Sequence, residues 1–250
     1  MKELLEQAEA LSGELVRWRR HIHENPEVGA DLPDTCAYVT EELKKMGYEP
    51  YPVGGGVVAM LDGDPNGKVI LLRGDMDALP MEEQSGEAFS SKRPGRMHAC
   101  GHDTHTAMLL ATGKVLWAHR QEIAGTVRLL FQTSEEQSRG AEIMIENGAV
   151  KGADAVFGTH IGTLVDKAIP AGTFIIPSGC CMAAFDKFVI KVKGKGVHGS
   201  APEKGIDPVN IAAHIVLALQ AITTRELNAT KPLVLTIGKI QGGSQYNVIP

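Results

Sequence analysis

Cysteine is scarce in this chain of 250 residues, which contains only Cys36, Cys100, Cys180 and Cys181. The last two are neighbours in the sequence, a spacing that does not suit a framework of paired disulfides. Secreted domains that depend on disulfides are small and rich in spaced cysteines. The sequence therefore predicts free thiols in a reducing compartment, and a cytoplasmic protein.

An excess of basic charge is also missing. Lysine and arginine number 25 against 30 aspartates and glutamates, which gives a formal net charge of -5. The basic residues are scattered, apart from short groups such as Arg17, Arg19 and Arg20. Nucleic acids and anionic lipids attract proteins that present a continuous basic surface. We therefore expect neither a nucleic-acid partner nor a membrane partner.

Long hydrophobic runs are absent from the sequence, since none approaches the ~18 apolar residues that a membrane span needs. The first 20 residues place leucines and Trp18 on one helical stripe between charged residues, unlike a signal peptide. Hydrophobic residues nevertheless make up 43% of the chain. That fraction is enough for a sizeable core in one large domain or two smaller ones.

Short apolar runs alternate with helical patterns along the first three quarters of the chain. The runs "VVAML", "KVILL", "TVRLLFQ" and "ADAVFG" are typical of buried strands. Helical periodicity occurs around residues 38–46, over residues 105–118 and in "GAEIMIENGAV". Strands separated by helices favour an α/β fold with a mostly parallel central sheet.

The pattern changes near Ala184, which suggests a second domain. The segment "FDKFVIKVKGKG" alternates lysines with apolar residues, as in a half-exposed strand, and "LVLTIGKI" predicts another strand. Between them, a helix is predicted over residues 207–223, with Asp207 as its N-cap and Pro208 at its first position. We therefore predict two domains, residues 1–183 and 184–250.

Polar side chains follow three of the predicted strands. They are Asp75 and Asp77 after "KVILL", Glu135 and Glu136 after "TVRLLFQ", and His160 after "ADAVFG". In α/β sheets, ligands bind beyond the carboxyl ends of the strands. Each residue alone could be a turn former, a helix cap or a core histidine. Several acidic groups at one edge repel each other, however, unless a cation lies among them.

The loop "MHACGHDTHTAM" adds three histidines, an aspartate and Cys100 just before a helical pattern. Thiolate and imidazole bind borderline-soft metal ions, and Cys100 and His102 are close enough in sequence to reach one ion. A catalytic metal also needs an unliganded base nearby. The adjacent Glu135 and Glu136 can supply one ligand and one base.

Five motifs together resemble a known family: "HACGHDTH", "SEE", "GTHIG", "GVHGSAPEKGIDP" and "YNVIP". In this order they are similar to the amidohydrolase branch of the co-catalytic metallopeptidases, which includes aminoacylases, hippurate hydrolases, auxin-conjugate hydrolases and N-acetyldiaminopimelate deacetylase. The resemblance implies a zinc-peptidase-like catalytic domain with a smaller α+β lid that also forms a homodimer. It implies hydrolysis of N-acyl amino acids with two divalent ions, which could be zinc, manganese, cobalt or nickel.

The resemblance also implies ligand roles. Cys100 would bridge the two ions, His102 and Glu136 would bind one of them, and His160 would bind the other. Glu135 would be the general base, which takes a proton from the attacking water and passes it to the leaving amine.

Three further residues match family positions outside the ligand set. Asp77 would orient a ligand, although Asp75 stands where the family places a histidine. His198 and Asn247, in the second predicted domain, would stabilise the substrate's carbonyl oxygen. In dimeric members that histidine comes from the partner subunit. Family chains continue past "YNVIP" with a last histidine ligand, so the resemblance implies that the C-terminal part of the fold is absent from this chain.

Other functions remain open from the sequence. An aminopeptidase or dipeptidase of the same family is one alternative, and a catalytically incomplete metal-binding fragment is another. A closed structural zinc site would use Cys100 and His102 but leaves Glu135 and Glu136 without a role. A cysteine hydrolase would use Cys100 as nucleophile with a histidine base.

Overall fold

The computed structural model describes residues 2–162, 168–179 and 183–250. Its contacts divide the chain into two compact units, Met1–Cys181 and Met182–Pro250, and each unit is described by itself. The predicted boundary between residues 183 and 184 lies close to this division, and the role of the second unit as a lid stays a prediction. Cys180 and Cys181 lie outside the described residues.

The first unit contains a five-stranded sheet and five α-helices among its described residues. The strands are β1 (Tyr51–Val53), β2 (Gly56–Asp62), β3 (Lys68–Asp75), β4 (Gly125–Gln132) and β5 (Ala155–Gly158). The helices are α1 (Lys2–Ala10), α2 (Ser12–Glu24), α3 (Pro33–Met46), α4 (His102–Ala118) and α5 (Gly140–Glu146).

The sheet has the order β1-β2-β4-β3-β5. Strand β3 pairs in parallel with both β4 and β5, whereas β2 is antiparallel to β4 and β1 is antiparallel to β2. Four of the five strands therefore run in one direction, which confirms the predicted α/β fold with a mostly parallel sheet. The turn "DGDPNG" connects β2 to β3, but these strands are not neighbours because β4 lies between them.

Apolar side chains cover both faces of the sheet, as the continuous apolar runs predict. Consecutive residues of β4 point to opposite faces, so Leu129 and Leu130 belong to different core clusters. Leu129 packs in the cluster that contains Trp18 of α2 and Leu43 of α3. Leu130 packs in the cluster that contains Met144 of α5. Helices on both faces hold the sheet, and the strand ends remain available for a site.

Helix α4 begins at His102, three residues before the start that periodicity predicts. Gly101 precedes it with a φ of 86°, in the left-handed region that favours glycine. A Cβ atom at this position would lie 2.6 Å from the Cδ1 atom of Ile161. Glycine therefore allows the loop of residues 158–162 to pack against the start of the helix.

The second unit is built around α6 (Pro208–Ala221) and a short antiparallel pair of strands, β6 (Val197–His198) and β7 (Val248–Ile249). The predicted N-cap is confirmed, since the Asp207 carboxylate accepts the backbone N–H groups of Val209 and Asn210 at 2.9 and 3.1 Å. No helix among the described residues is long and apolar enough to cross a membrane.

Two strands predicted in the second unit are wrong. Over residues 185–196 and 233–240 the described backbone forms no strand, and only a single bridge joins Lys195 to Ile206. A strand is stable when a neighbour completes its hydrogen bonds and one of its faces is buried. Neither condition holds here, since Phe185, Val189 and Val234 are 71%, 72% and 88% exposed.

Candidate metal centre

The carboxyl ends of β3, β4 and β5 meet at one edge of the sheet. Asp75 at the end of β3 is in register with Gln132 at the end of β4, and Arg73 is in register with Gly158 at the end of β5. The segments that follow these strands carry Asp77, the glutamate pair and His160. The beginning of α4 brings His102 and Cys100 to the same edge, so the predicted clustering of these residues is confirmed.

His102 lies at the centre of the cluster and is fully buried. Its Nδ1 atom is 3.3 Å from the Oδ1 atom of Asp77. Its Nε2 atom is 3.9 Å from the Oε2 atom of Glu135 and 3.8 Å from the Oε1 atom of Glu136. The Nε2 atom is also 3.7 Å from the Oδ2 atom of Asp75. One ring nitrogen therefore lies beside Asp77, and the other faces the two glutamates and Asp75.

Asp77 also organises the turn that carries the glutamates. Its Oδ1 atom accepts the backbone N–H of Glu135 and its Oδ2 atom accepts that of Glu136, both at 3.0 Å. Ser134, just before the pair, has a φ of 55°, which is uncommon for a residue other than glycine. A single buried carboxylate thus fixes the backbone of both glutamates and lies beside the ring of His102.

Cys100 and His160 form a second part of the cluster. The Cys100 Sγ atom is 3.4 Å from the His160 Nε2 atom. The Nδ1 atom of His160 donates to the carbonyl oxygen of Ile161 at 2.5 Å, which leaves the lone pair on Nε2 facing the sulfur. Donor atoms of Cys100, His102 and His160 all lie within 4.8 Å of one another.

The chemistry of these side chains fits divalent metal ions. His102, Glu135 and Glu136 form another group whose donor atoms lie within 4.8 Å of one another. The His102 Nε2 and Glu136 Oε1 atoms are buried and have no hydrogen-bond partner in the described part of the chain. Leaving such atoms unsatisfied is costly, and a cation would satisfy both. Thiolate, imidazole and carboxylate are donors that suit zinc and its neighbours in the first transition series.

Electrostatics at the cluster favour a bound cation. Burial raises the pKa of the Glu135 carboxyl, and the nearby Asp75 and Glu136 act in the same direction against the opposing effect of His102. Burial lowers the pKa of His102, but its bond to Asp77 and the surrounding carboxylates outweigh burial and raise it. The acidic groups repel each other and attract positive charge.

The cysteine-hydrolase alternative is disfavoured by the same environment. Burial raises the pKa of Cys100 to about 12, and the charges of Glu136, Glu135 and Asp75 add to the effect. A catalytic thiol needs a depressed pKa, because the thiolate is the nucleophile. Cys100 alone is therefore a poor nucleophile at neutral pH.

A third group, Asp75, His102 and His105, also has its donor atoms within 4.8 Å of one another. Its aspartate is already engaged, however. The His105 Nδ1 atom is 2.6 Å from Asp75 Oδ1, and the Arg73 Nη1 atom is 2.6 Å from Asp75 Oδ2. Burial raises the pKa of Asp75, but His105 and Arg73 outweigh it and lower the value to about 2. The Arg73 guanidinium neutralises the charge of the Asp75 carboxylate, which a metal ion would otherwise do. We therefore assign no ion to this group.

Arg73 and His105 belong to the same cluster, although neither was predicted from the sequence. His105 follows His102 by three residues, so both lie on one face of α4, and this spacing was a usable signal. The other polar residues of the loop face elsewhere. The Asp103 Oδ2 atom contacts His23 Nδ1 and Arg19 Nε, each at 2.9 Å, and His98 is buried with its pKa lowered to about 4 by burial.

His198 and Asn247 lie in the second unit. His198 is the last residue of β6, and Asn247 immediately precedes β7. His198 of β6 is in register with Val248 of β7, and the backbone N–H of Gly199 donates to the Asn247 carbonyl oxygen at 2.8 Å. The His198 Nδ1 atom is 2.7 Å from the Ser200 hydroxyl. The two residues are thus neighbours within their own unit, and their roles towards a substrate stay predictions.

Comparison with known proteins defines the class. Residues 71–249 match the model of peptidase family M20/M25/M40, and the chain belongs to this family. The resemblance inferred from the five motifs is confirmed.

Individual relatives are similar over nearly the whole chain. It is 42% identical to the N-acetyl-L-cysteine deacetylase of Bacillus subtilis (strain 168) over 96% of its length and 57% of the relative's. It is 40% identical to the N-acyl-L-amino acid amidohydrolase of Geobacillus stearothermophilus over 100% of its length and 67% of the relative's. The crystal structure of a dinuclear metal-binding M20 peptidase from Bacillus subtilis matches with a TM-score of 0.68 and 32% identity, over 97% of this chain and 62% of that one. The chain thus spans about three fifths of the length of these relatives.

Proposed function

We propose that this chain forms the metal-binding part of an amidohydrolase that cleaves the amide bond of N-acyl amino acids with water. The observation that carries the proposal is the placement of His102. Its Nδ1 atom lies beside Asp77, its Nε2 atom faces two glutamates, and Cys100 and His160 lie close by. Two relatives named for acting on N-acetylcysteine and on N-acyl amino acids support this substrate class.

The ligand assignment follows two of the three groups that contain His102, the one with Cys100 and His160 and the one with Glu135 and Glu136. Cys100, His102, Glu136 and His160 would hold two divalent ions, with His102 and Glu136 as ligands of one, His160 as a ligand of the other and Cys100 as a ligand shared by both. Zinc, manganese, cobalt and nickel all accept this mixture of sulfur, nitrogen and oxygen donors. Ions bound there polarise the substrate carbonyl and make water more acidic. The similarity to a dinuclear metal-binding peptidase supports two ions rather than one.

Glu135 acts as general base beside these ligands. The Glu135 side chain is 38% exposed, compared with 21% for the proposed ligand Glu136. Glu135 is therefore the glutamate that is more accessible to the attacking water. Glu135 accepts a proton from the attacking water and delivers it to the nitrogen of the leaving amino acid. Asp77 keeps the backbone of Glu135 in place during both transfers.

The second unit contributes to the substrate side of the reaction. His198 and Asn247 donate hydrogen bonds to the carbonyl oxygen, whose negative charge grows in the transition state. Residues 184–250 act as a lid and as the contact of a homodimer. We further propose that the enzyme works in the cytoplasm, in keeping with its free thiols Cys36 and Cys100.

The test is hydrolysis of N-acetyl and N-benzoyl amino acids by the chain after loading with zinc or manganese, measured as release of the free amino acid. We expect turnover that a chelator abolishes and that added metal restores. Free dipeptides serve as the competing substrates. Turnover of dipeptides in preference to N-acyl amino acids would replace the proposal by a peptidase, and turnover that survives removal of metal would refute it.

A further inference from the structure

His105 makes two hydrogen bonds that define its protonation. Its Nε2 atom accepts the backbone N–H of Ile161 at 2.9 Å, and its Nδ1 atom is 2.6 Å from the Asp75 Oδ1 atom. A backbone N–H can only donate, so Nε2 must carry a lone pair. The proton of the neutral ring is therefore on Nδ1, which donates to Asp75. The ring is buried, with 3% of its surface exposed.

Asp75 is itself tied to the sheet and to α4. The Arg73 Nη1 atom lies 2.6 Å from its Oδ2 atom, and the Arg73 Nε atom donates to the Gln132 side chain on β4 at 2.9 Å. The hydroxyl of Thr106 donates to the Asp75 carbonyl oxygen at 2.8 Å. Asp75 and His105 therefore extend a fixed network from the centre of the sheet to the segment after β5.

Ile161 is the residue that connects this network to a ligand. Its N–H is bound by His105, and its carbonyl oxygen accepts the Nδ1–H of His160. The rings of His105 and His160 also contact each other edge to face, with centroids 4.6 Å apart and an interplanar angle of 69°. His160 itself is exposed, so it depends on such contacts for its orientation.

We propose that Asp75 and His105 are a positioning pair, which holds Ile161 and thereby aims the Nε2 atom of His160 at the metal centre. This inference rests on the proposed function, because it treats His160 as a ligand. It gives Asp75 a role that differs from metal binding, although Asp75 occupies the place of a family histidine. Partners of this kind typically change metal affinity by about 10- to 100-fold.

Two substitutions of His105 separate its two bonds. In His105→Asn the amide lies near the former Nδ1 position, so it can bond to Asp75 but is too short to reach Ile161. In His105→Gln the longer side chain can place its oxygen near the former Nε2 position and accept the Ile161 N–H. His119→Asn, at the far end of α4, is a matched control away from the site. Thermal unfolding of each variant checks that it folds.

The first measurement is hydrogen exchange of the Ile161 amide in the metal-free chain. We expect faster exchange in His105→Asn, near wild-type exchange in His105→Gln and no change in His119→Asn. Wild-type exchange in His105→Asn would overturn the proposal. This result does not depend on metal binding or hydrolysis, so it remains informative if the proposed function fails.

The second measurement is titration with Zn²⁺ by calorimetry. We expect His105→Asn to weaken the binding of one ion by about 10- to 100-fold, and His105→Gln to recover most of the loss. Combining His105→Asn with His160→Ala should weaken binding no further than His160→Ala alone, because His105 acts through His160. Losses that add fully, or unchanged affinity in His105→Asn, would overturn the proposal. A wild-type chain that binds no Zn²⁺ would refute the proposed function instead.

Discussion

Replacing Asp77 by asparagine tests the arrangement of the site most sharply. The carboxylate accepts two backbone N–H groups, from Glu135 and Glu136, with one oxygen each. Asparagine keeps one acceptor oxygen and puts an NH₂ group where the second oxygen was. One of the two part-buried N–H groups then faces a donor and loses its partner. A hydrogen bond to a charged group contributes about 1.5–3 kcal/mol, so we expect a loss of about 2–3 kcal/mol in the free energy of unfolding.

The same substitution also affects His102, whose Nδ1 atom lies 3.3 Å from the Asp77 carboxylate. Without that anion the ring loses its orientation, and we expect the affinity for Zn²⁺ to fall by about 10- to 100-fold. Urea unfolding of the metal-free chain measures the first effect, and calorimetric titration measures the second.

A matched control is Asp154→Asn. Asp154 also accepts a backbone N–H, from Val69 at 2.9 Å, but its side chain is 39% exposed and lies away from the cluster. We expect this change to destabilise the chain much less than Asp77→Asn does, since water can replace the lost bond, and to leave Zn²⁺ affinity unchanged. An Asp77→Asn variant that is as stable as the control, with wild-type affinity for Zn²⁺, would refute the role given to Asp77.

Two further predictions concern neighbouring carboxylates. Glu135→Gln should lower turnover of N-acyl amino acids by about 10²- to 10⁴-fold while the metal content stays at the wild-type level. Glu136→Gln should instead lower the metal content itself. Equal effects of both changes on metal content would contradict the division of roles. The lowered pKa of Asp75, about 2 in the folded chain against an ordinary 3.8, should contribute about 2 kcal/mol of stability at neutral pH. A carboxyl whose pKa is lower in the folded chain stabilises the fold at pH values above its pKa in the unfolded chain. This contribution disappears as the pH falls through about 2, the pKa in the folded chain. Urea unfolding should therefore show a difference between wild type and Asp75→Asn that shrinks to about half by pH 3, and a difference independent of pH would contradict it.

Much of the candidate metal centre could be predicted, because the positions of its residues along the chain follow simple rules. Apolar strands followed by polar residues located Asp77, Glu135 and His160 at strand ends, and parallel strands bring their carboxyl ends to one edge. The Cys100 and His102 pair was evident from residue type alone. These features depend on the backbone path, which hydrophobic patterns specify well.

The Asp75 and His105 pair was not predicted, because it depends on which side-chain atoms meet across β3, α4 and the segment after β5. Periodicity could place His105 on the same face as His102, but it could not show that Arg73 engages the second oxygen of Asp75. Sequence pattern also failed for the strands around Val189 and Val234. Alternating polarity indicates that a segment could be a strand, yet a strand forms only where a partner completes its hydrogen bonds.

Metal content measured by elemental analysis is the most direct test of the central claim, that this edge of the sheet binds divalent ions. The chain would be loaded with zinc or manganese, freed of excess ion and compared with His102→Ala, which removes the side chain shared by every candidate ligand group. His119→Ala serves as a histidine control. We predict two ions per wild-type and control chain, and the loss of at least one ion in His102→Ala. A wild-type chain without bound metal, or equal metal content in all three proteins, would contradict the claim.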